Sequence, residues 1–292
     1  MPPNNKENKR LYLIDGYAML YRAHFAMIRN PLINSKGMHT SALFGFVNQI
    51  MKLINTEKPD LMIAAFDSPQ KTFRHERYSE YKATREKMPE EMIEQLPYLW
   101  NILESMDIPL LEEPGFEADD IIGTLCKNTQ EFGQYEDVMI VSADKDFLQL
   151  QRYKNVRQYS PLLKKEYREE TPLVGLTEKI LTGDAGDGVP NVLSHDNVFV
   201  EGERQRPLSR KKKDDMINQL NHADSGYQHS EWYRNYQRNR KLIDLEYTPE
   251  ELQSEILEQF NNQDKWAQRG AVLPYLINNR MKLMIESVEE LI

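Results

Sequence analysis

Three short apolar runs, each closed by an aspartate, restrict the fold of this 292-residue chain more than any other feature. Leu11-Tyr12-Leu13-Ile14 ends at Asp15-Gly16, and Leu61-Met62-Ile63-Ala64-Ala65-Phe66 ends at Asp67. Val138-Met139-Ile140-Val141 then runs into Ser142-Ala143-Asp144-Lys145-Asp146. Short apolar runs without alternation read as strands buried on both faces. Helical segments between them, predicted over Tyr17–Ile28 and Thr40–Ile54, place such strands in a parallel sheet. The expected class is therefore α/β, a mainly parallel central sheet flanked by helices. Ligands of such sheets bind beyond the carboxyl ends of the strands, the edge to which all three runs deliver an aspartate. One strand-terminal aspartate is an ordinary turn residue; three on one edge form a cluster.

Two further stretches add acids to that edge. Glu117, Asp119 and Asp120 open the apolar helical run that continues through Ile121, Ile122 and Leu125. One or two acids suit the positive end of a helix dipole, but three packed together resist ionising side by side. Taken alone, the triplet is either a solvated helix start or part of a cation site. The glycine-rich loop Gly183-Asp184-Ala185-Gly186-Asp187-Gly188 contributes Asp184 and Asp187. Nine carboxylates are thus candidate metal ligands: Asp15, Asp67, Glu117, Asp119, Asp120, Asp144, Asp146, Asp184 and Asp187. Oxygen-only donors select hard cations, Mg²⁺ with Mn²⁺ as a substitute. Nine acids exceed the needs of one ion and point to a pair about 4 Å apart, as used for in-line displacement at phosphorus.

Net charge bears on the partner. The chain carries −9, and setting aside nine ligand charges leaves zero for the rest, so its acidity does not exclude a polyanion. Cys126 is the only cysteine, which excludes an internal disulfide, and the six histidines show no zinc-ligand spacing. No apolar run is long enough to span a bilayer; no membrane partner is expected, and a cytoplasmic location is. Residues 1–10 are polar and read as a flexible tail.

Residues 71–87 mix cations with Phe73, Tyr78 and Tyr81, a pattern suited to single-stranded nucleic acid. Lys71, Arg74, Arg77, Tyr81, Lys82 and Arg85 are the candidate contacts, with Lys82 and Arg85 on one helical face. The alternative is an exposed helix with internal charge pairs. Arg204, Arg206, Arg210, Lys211, Lys212 and Lys213 form a second basic stretch without an acid, either a disordered loop or a surface for duplex phosphates. Beyond residue 215 the pattern is helical, with segments at Met216–Leu220, Trp232–Ile243, Glu250–Phe260 and Leu276–Leu291. The expected organisation is a tail at 1–10, an α/β core at 11–188 with a basic arch at about 70–95, and a helical part of the same domain at 189–292.

These motifs, in this order, resemble a known family. Leu13-Ile14-Asp15-Gly16 with Leu20-Tyr21-Arg22-Ala23, Phe66-Asp67, Thr72-Phe73-Arg74, Tyr81-Lys82 with Arg85, Glu117-Ala118-Asp119-Asp120, Ser142-Ala143-Asp144-Lys145-Asp146, Gly183-Asp184 and Asp187 resemble the 5′-nuclease domain of bacterial DNA polymerase I. That places the chain beside the flap endonuclease and 5′-to-3′ exonuclease superfamily, with its PIN-like core and helical arch. Ile180-Leu181-Thr182-Gly183-Asp184 and Val200-Glu201-Gly202-Glu203-Arg204 resemble the phage-encoded RNase H of that superfamily. The resemblance implies a two-metal, Mg²⁺-dependent nuclease acting on 5′ ends and flaps of DNA and RNA·DNA, including primer removal in phage replication in the bacterial cytoplasm. By the same resemblance Lys82 and Arg85, with Asp144 and Asp146, are the catalytic candidates. A single-strand binding protein or sliding clamp is the candidate recruiting partner, and the protein is expected to be a monomer. Val189–Arg206 lacks the family's glycine-rich hairpin, so no potassium site is expected and the basic run to Lys213 is left to hold the duplex. The competing readings are a PIN-type endoribonuclease and a non-catalytic fork-binding replication factor.

Overall fold

The structure, a computed structural model, describes residues 9–132, 135–222, 226–261 and 272–289. Residues 1–8 of the expected tail, and the end of the helix expected to reach Leu291, lie outside the described residues. Six strands form one sheet: β1 (Arg10–Asp15), β2 (Leu61–Ala65), β3 (Leu110–Leu111), β4 (Asp137–Val141), β5 (Val156–Ser160) and β6 (Lys165–Tyr167). Their order is β3-β2-β1-β4-β5-β6, and only β6 runs antiparallel. The chain builds outward from β1 on one side, then returns to β4 on the other. The β1/β4 boundary is therefore the switch point where the crevice of such a sheet opens. Asp15 ends β1 there, and Val141, paired with Ile14, leads into Asp144.

Helices cover both faces. Helices α1 (Gly16–Ala26), α2 (Ser41–Glu57) and α5 (Leu96–Ser105) pack on one side, where Phe46, Ile50, Leu99 and Ile102 meet Tyr12, Ile14 and Phe66. Helix α6 (Ala118–Phe132) covers the other through Ile121, Ile122 and Leu125 against Leu11, Leu13 and Ile140. Gly16 is required at the β1–α1 turn, since a Cβ there would lie 2.3 Å from the Phe66 ring. The C-terminal helices join both sides. From α10 (Glu250–Asn261), Ile256 and Phe260 enter the α6 core. From α11 (Val272–Asn278) and α12 (Lys282–Glu289), Leu276 and Met284 enter the α2 core.

A third apolar cluster ties α7 (Pro172–Thr182), α8 (Arg210–Leu220) and α9 (Glu231–Ile243) to Tyr78 and Tyr81. Here the structure departs from the expected helical arch. Residues 71–95 hold only α3 (Phe73–Arg77) and α4 (Glu90–Ile93), with turns over 79–84. Lys82 has a left-handed φ of 54°, so Lys82 and Arg85 do not share a helical face. The cause is a competing partner: the Lys82 N–H donates to the Asp187 carbonyl at 2.9 Å instead of to its own preceding turn.

Candidate active site

Asp15 and Asp144 cap the elements that follow them, and Asp67 reaches across to the start of a later helix. Asp15 accepts from the Ala18 N–H at 3.2 Å, Asp144 from the Asp146 N–H at 2.9 Å at the start of a 3₁₀ helix (Lys145–Arg152), and Asp67 from the Ala118 N–H at 2.8 Å at the start of α6. The first two are ordinary side-chain caps, the third joins residues 51 apart, and each engages only one oxygen of its carboxylate. The second oxygen of Asp15 accepts from the Ser142 hydroxyl at 2.7 Å, which ties β1 to β4 at the switch point. These bonds therefore aim three carboxylates at one place without using them up.

The glycine loop closes over this place from the side. Gly183 has φ +74° and a Cβ there would sit 2.3 Å from the Val189 carbonyl oxygen, so only glycine permits the Asp184–Val189 bridge. Gly188, at φ +72°, lies against the Glu80 carbonyl, and the Tyr78 hydroxyl donates to the Gly188 carbonyl at 3.3 Å. Tyr81 donates between Glu117 at 2.9 Å and Asp187 at 3.2 Å, and Lys82 Nζ lies 2.8 Å from Glu117 and 3.8 Å from Asp187. A cavity of about 20 Å³ remains among Glu117, Asp119, Asp146, Asp184 and Asp187, room for one water-sized occupant.

Three of the sequence assignments are corrected by burial. Asp120 is 0 % exposed and Arg74 is 2 % exposed, and they form a two-pronged ion pair at 2.6 and 2.8 Å. Asp120 also accepts from the Glu117 N–H and the Thr248 hydroxyl, each at 3.0 Å, and Arg74 Nε donates to the Leu242 carbonyl at 2.8 Å. Asp120 thus has no lone pair left for a cation, and Arg74 cannot reach a nucleic acid. Asp119 and Asp120, adjacent in sequence, project from different sides of α6. Tyr81 is likewise only 3 % exposed, so it orders the carboxylates and offers no face for a base.

Eight of the nine carboxylates remain around the site, and their ionisation records the crowding. Burial pushes Asp15 up to about 7, with Asp67 and Asp144 adding to the shift against the Ser142 hydrogen bond. Burial with Asp144, Asp15 and Asp146 raises Asp119 well above the usual range, and burial with Asp144 raises Asp146 to about 6. Asp67 and Asp187 are also raised, chiefly by burial. Glu117 and Asp184 go the other way: burial would raise them, but Lys82 with Arg74 outweighs it at Glu117, and Lys179 outweighs it at Asp184. The donor set fits hard divalent cations, because all eight donors are carboxylates whose mutual repulsion such ions would relieve.

Lys179 was not identified from sequence. From α7 it bridges Asp146 and Asp184, at 2.9 Å to the latter; its place five residues before Asp184 carried no motif. Among the other candidates, Lys71, Arg77 and Arg85 are exposed along the margin. Arg204, Arg206, Arg210, Lys211 and Lys212 are exposed and Lys213 pairs with Glu178 at 2.7 Å. The run is ordered in part: Asn191 holds it through Gln205 and the Arg206 carbonyl, and α8 begins inside it with Ser209 as its cap. Apart from this site, the described residues bring His195, Glu201 and Glu203 together on an exposed loop, and none of the nine candidates belongs to that group. Among the described residues no helix is long and apolar enough to cross a membrane.

Comparison with known proteins identifies the family and the fold. Residues 10–179 match the 5′-3′ exonuclease N-terminal resolvase-like domain, and residues 171–291 match the T4 RNase H C-terminal domain. The 5′-3′ exonuclease of Aquifex aeolicus (strain VF5) is 36 % identical over 232 residues, 71 % of this chain and 78 % of that protein. DNA polymerase I of Bacillus subtilis (strain 168) is 40 % identical over 198 residues, 64 % of this chain but 22 % of the polymerase. The chain thus matches less than a quarter of that polymerase's length. In fold it is similar to the T5 D15 protein co-crystallised with metal ions, at a TM-score of 0.61 and 18 % identity, over 88 % of this chain and 100 % of that one.

Proposed function

This chain belongs to the 5′-3′ exonuclease family, and we propose that it is a structure-specific 5′ nuclease that hydrolyses phosphodiester bonds at 5′ ends and flaps of DNA and RNA·DNA. The observation that carries the proposal is the set of eight carboxylates at the β1/β4 switch point with two lysine ammonium groups, Lys82 and Lys179, already among them. Two Mg²⁺ ions held by these carboxylates would supply the charge that activates a water and offsets the negative charge of the reacting phosphate. Asp119 interacts with Asp15, Asp144 and Asp146 on the β1/β4 side, Tyr81 joins Glu117 to Asp187, Lys179 joins Asp146 to Asp184, and Asp67 interacts with both Asp15 and Glu117.

The chain's own residues position the reaction. Tyr81 fixes Glu117 and Asp187 by hydrogen bonds, and the buried Arg74–Asp120 pair holds α3 against the start of α6. Lys82 stands among the carboxylates with its ammonium on Glu117 and Asp187. As a phosphate enters, its ammonium can exchange Glu117 for a non-bridging phosphate oxygen, and Arg85 on the same turn can take another. The exposed cations at the start of α8 fit duplex phosphates, since Arg210, Lys211 and Lys212 stand at a helix N-terminus, where a helix by itself disfavours positive charge. Primer and flap removal in phage replication, in the bacterial cytoplasm, is the setting we propose for this activity.

The test is cleavage of a 5′-labelled flap and of an RNA-primed duplex, with Mg²⁺ or with EDTA, by the wild type and by Asp144→Asn. Metal-dependent release of short 5′ products, abolished by the substitution, is the expected result. Retained fork binding without cleavage in Mg²⁺ or Mn²⁺ would make the protein a non-catalytic replication factor. Cleavage confined to RNA hairpins would make it a PIN-type endoribonuclease.

A further inference from the structure

Beside the carboxylate site lies a second concavity of opposite charge. It measures about 630 Å³ and is lined by Arg77 from α3, Arg234, Arg238, Lys241 and Tyr233 from α9, and Tyr247; none of its described lining residues is acidic. Leu242 lines both this groove and the cavity among the carboxylates, so the two adjoin. Asp196 pairs with both Arg234, at 3.2 Å, and Arg238, which leaves the groove with surplus positive charge. Arg77 lies over the Phe73 ring at 4.9 Å and donates to the Tyr247 carbonyl. Neither Arg77 nor Lys241 forms an ion pair with a carboxylate among the described residues.

Two aromatic rings are preset in the same place. Tyr233 stacks in parallel on Tyr236 at 6.0 Å and 12°, and Tyr247 lies beneath the Arg240 guanidinium at 5.0 Å. Cations that track a backbone, interleaved with aromatic surfaces held in position, are the recognition chemistry of single-stranded nucleic acid. A groove of this volume is the size of a small-molecule pocket and takes about one or two nucleotides at a time. The cylinder of a duplex does not enter it.

We propose that this groove holds the single-stranded flap of the substrate as it leaves the carboxylate site. Arg77 and Lys241 contact successive phosphates, and Tyr233 and Tyr247 offer ring surface to the bases. The assignment rests on the nuclease reading for the identity of the substrate. It adds a consequence that reading does not contain: affinity depends on flap length through residues outside the carboxylate cluster.

The experiment is fluorescence anisotropy on substrates that share one duplex and carry flaps of about 0, 2, 6 and 12 nucleotides, a series spanning the site size of such grooves. Ca²⁺ replaces Mg²⁺ so that cleavage does not intervene, and the proteins are the wild type, Lys241→Ala, Lys241→Glu and Arg77→Ala/Lys241→Ala. Wild-type affinity is expected to rise with flap length and then level off. In the double variant most of that rise disappears, and the slope of log affinity against log salt on the longest flap falls by about 1.4, from about 0.7 for each of two single-strand phosphates. Lys241→Glu removes the rise more completely than Lys241→Ala. A flap-length dependence equal in wild type and variants overturns the proposal. An equal loss on flapped and flapless substrates also overturns it, because the groove would then be reading duplex. Cleavage by the wild type in Mg²⁺ is run in parallel; its absence would sink the nuclease reading while the binding series still decides the groove.

Discussion

Asp120→Ala separates a structural acid from the metal-site acids beside it. Asp120 is 0 % exposed and holds Arg74, itself 2 % exposed, with two hydrogen bonds at 2.6 and 2.8 Å. Removing one partner of a buried pair leaves the other as an uncompensated charge, at a cost of about 3–5 kcal/mol. Glu117 lies 3.7 Å from Arg74 and can take over part of its charge, which places the expected loss near the lower end, about 3 kcal/mol. At roughly 2–4 °C per kcal/mol, the melting temperature should fall by roughly 6–12 °C. The assay is thermal unfolding with EDTA and with saturating Mg²⁺, on the wild type, Asp120→Ala and Asp144→Ala. Asp120→Ala should melt low in EDTA yet keep most of the rise that Mg²⁺ produces. Asp144→Ala loses a cap but relieves the repulsion on Asp119 and Asp146, so it should fall less than Asp120→Ala in EDTA and lose that rise. If Asp120→Ala melts within a degree or two of the wild type and no longer responds to Mg²⁺, Asp120 is a ligand and the reasoning from its burial is wrong.

Two further predictions address the charges of the site. Lys82→Ala should lower the turnover rate by about 10²-fold while weakening substrate binding far less, because its phosphate contact matters most as charge develops; steady-state and binding measurements on one flap check this, and equal losses in both would remove Lys82 from the catalytic step. Asp15 has a folded pKa of about 7 against an ordinary 3.8, so the folded state binds the proton more tightly. Its contribution to stability is present below about pH 4 and lost as pH rises through 7. In EDTA, Asp15→Asn should therefore gain stability relative to the wild type between pH 4 and 7, as read by urea unfolding at each pH. A constant difference across that window would contradict the assigned burial.

What the sequence determined by itself is the set of elements whose cause is local. The runs ending at Asp15, Asp67 and Asp144 are short, apolar and unbroken, so burial on both faces and a parallel sheet follow from composition alone. Once strands and helices alternate, the end of the sheet that carries the site follows too. The family was legible for the same reason, since its motifs sit on those strand ends.

Tertiary structure decided which of several chemically equal residues does what. Asp119 and Asp120 are neighbours in the chain, yet Asp120 meets a guanidinium from a position 46 residues earlier, while Asp119 faces Asp15, Asp144 and Asp146. Lys179 gains its place only because α7 packs beside the 3₁₀ helix that carries Asp146. Tyr78 and Tyr81 repeat at a spacing that suits a helix, but their segment turns, because a carbonyl from Asp187 competes for the Lys82 N–H. Strand β5 was not recognisable, since its buried face carries the polar Gln158 and Ser160, Gln158 donating to the Ser142 and Asp144 carbonyls. In each case the deciding partner is distant in sequence, and periodicity, which reads neighbours, carries no information about it.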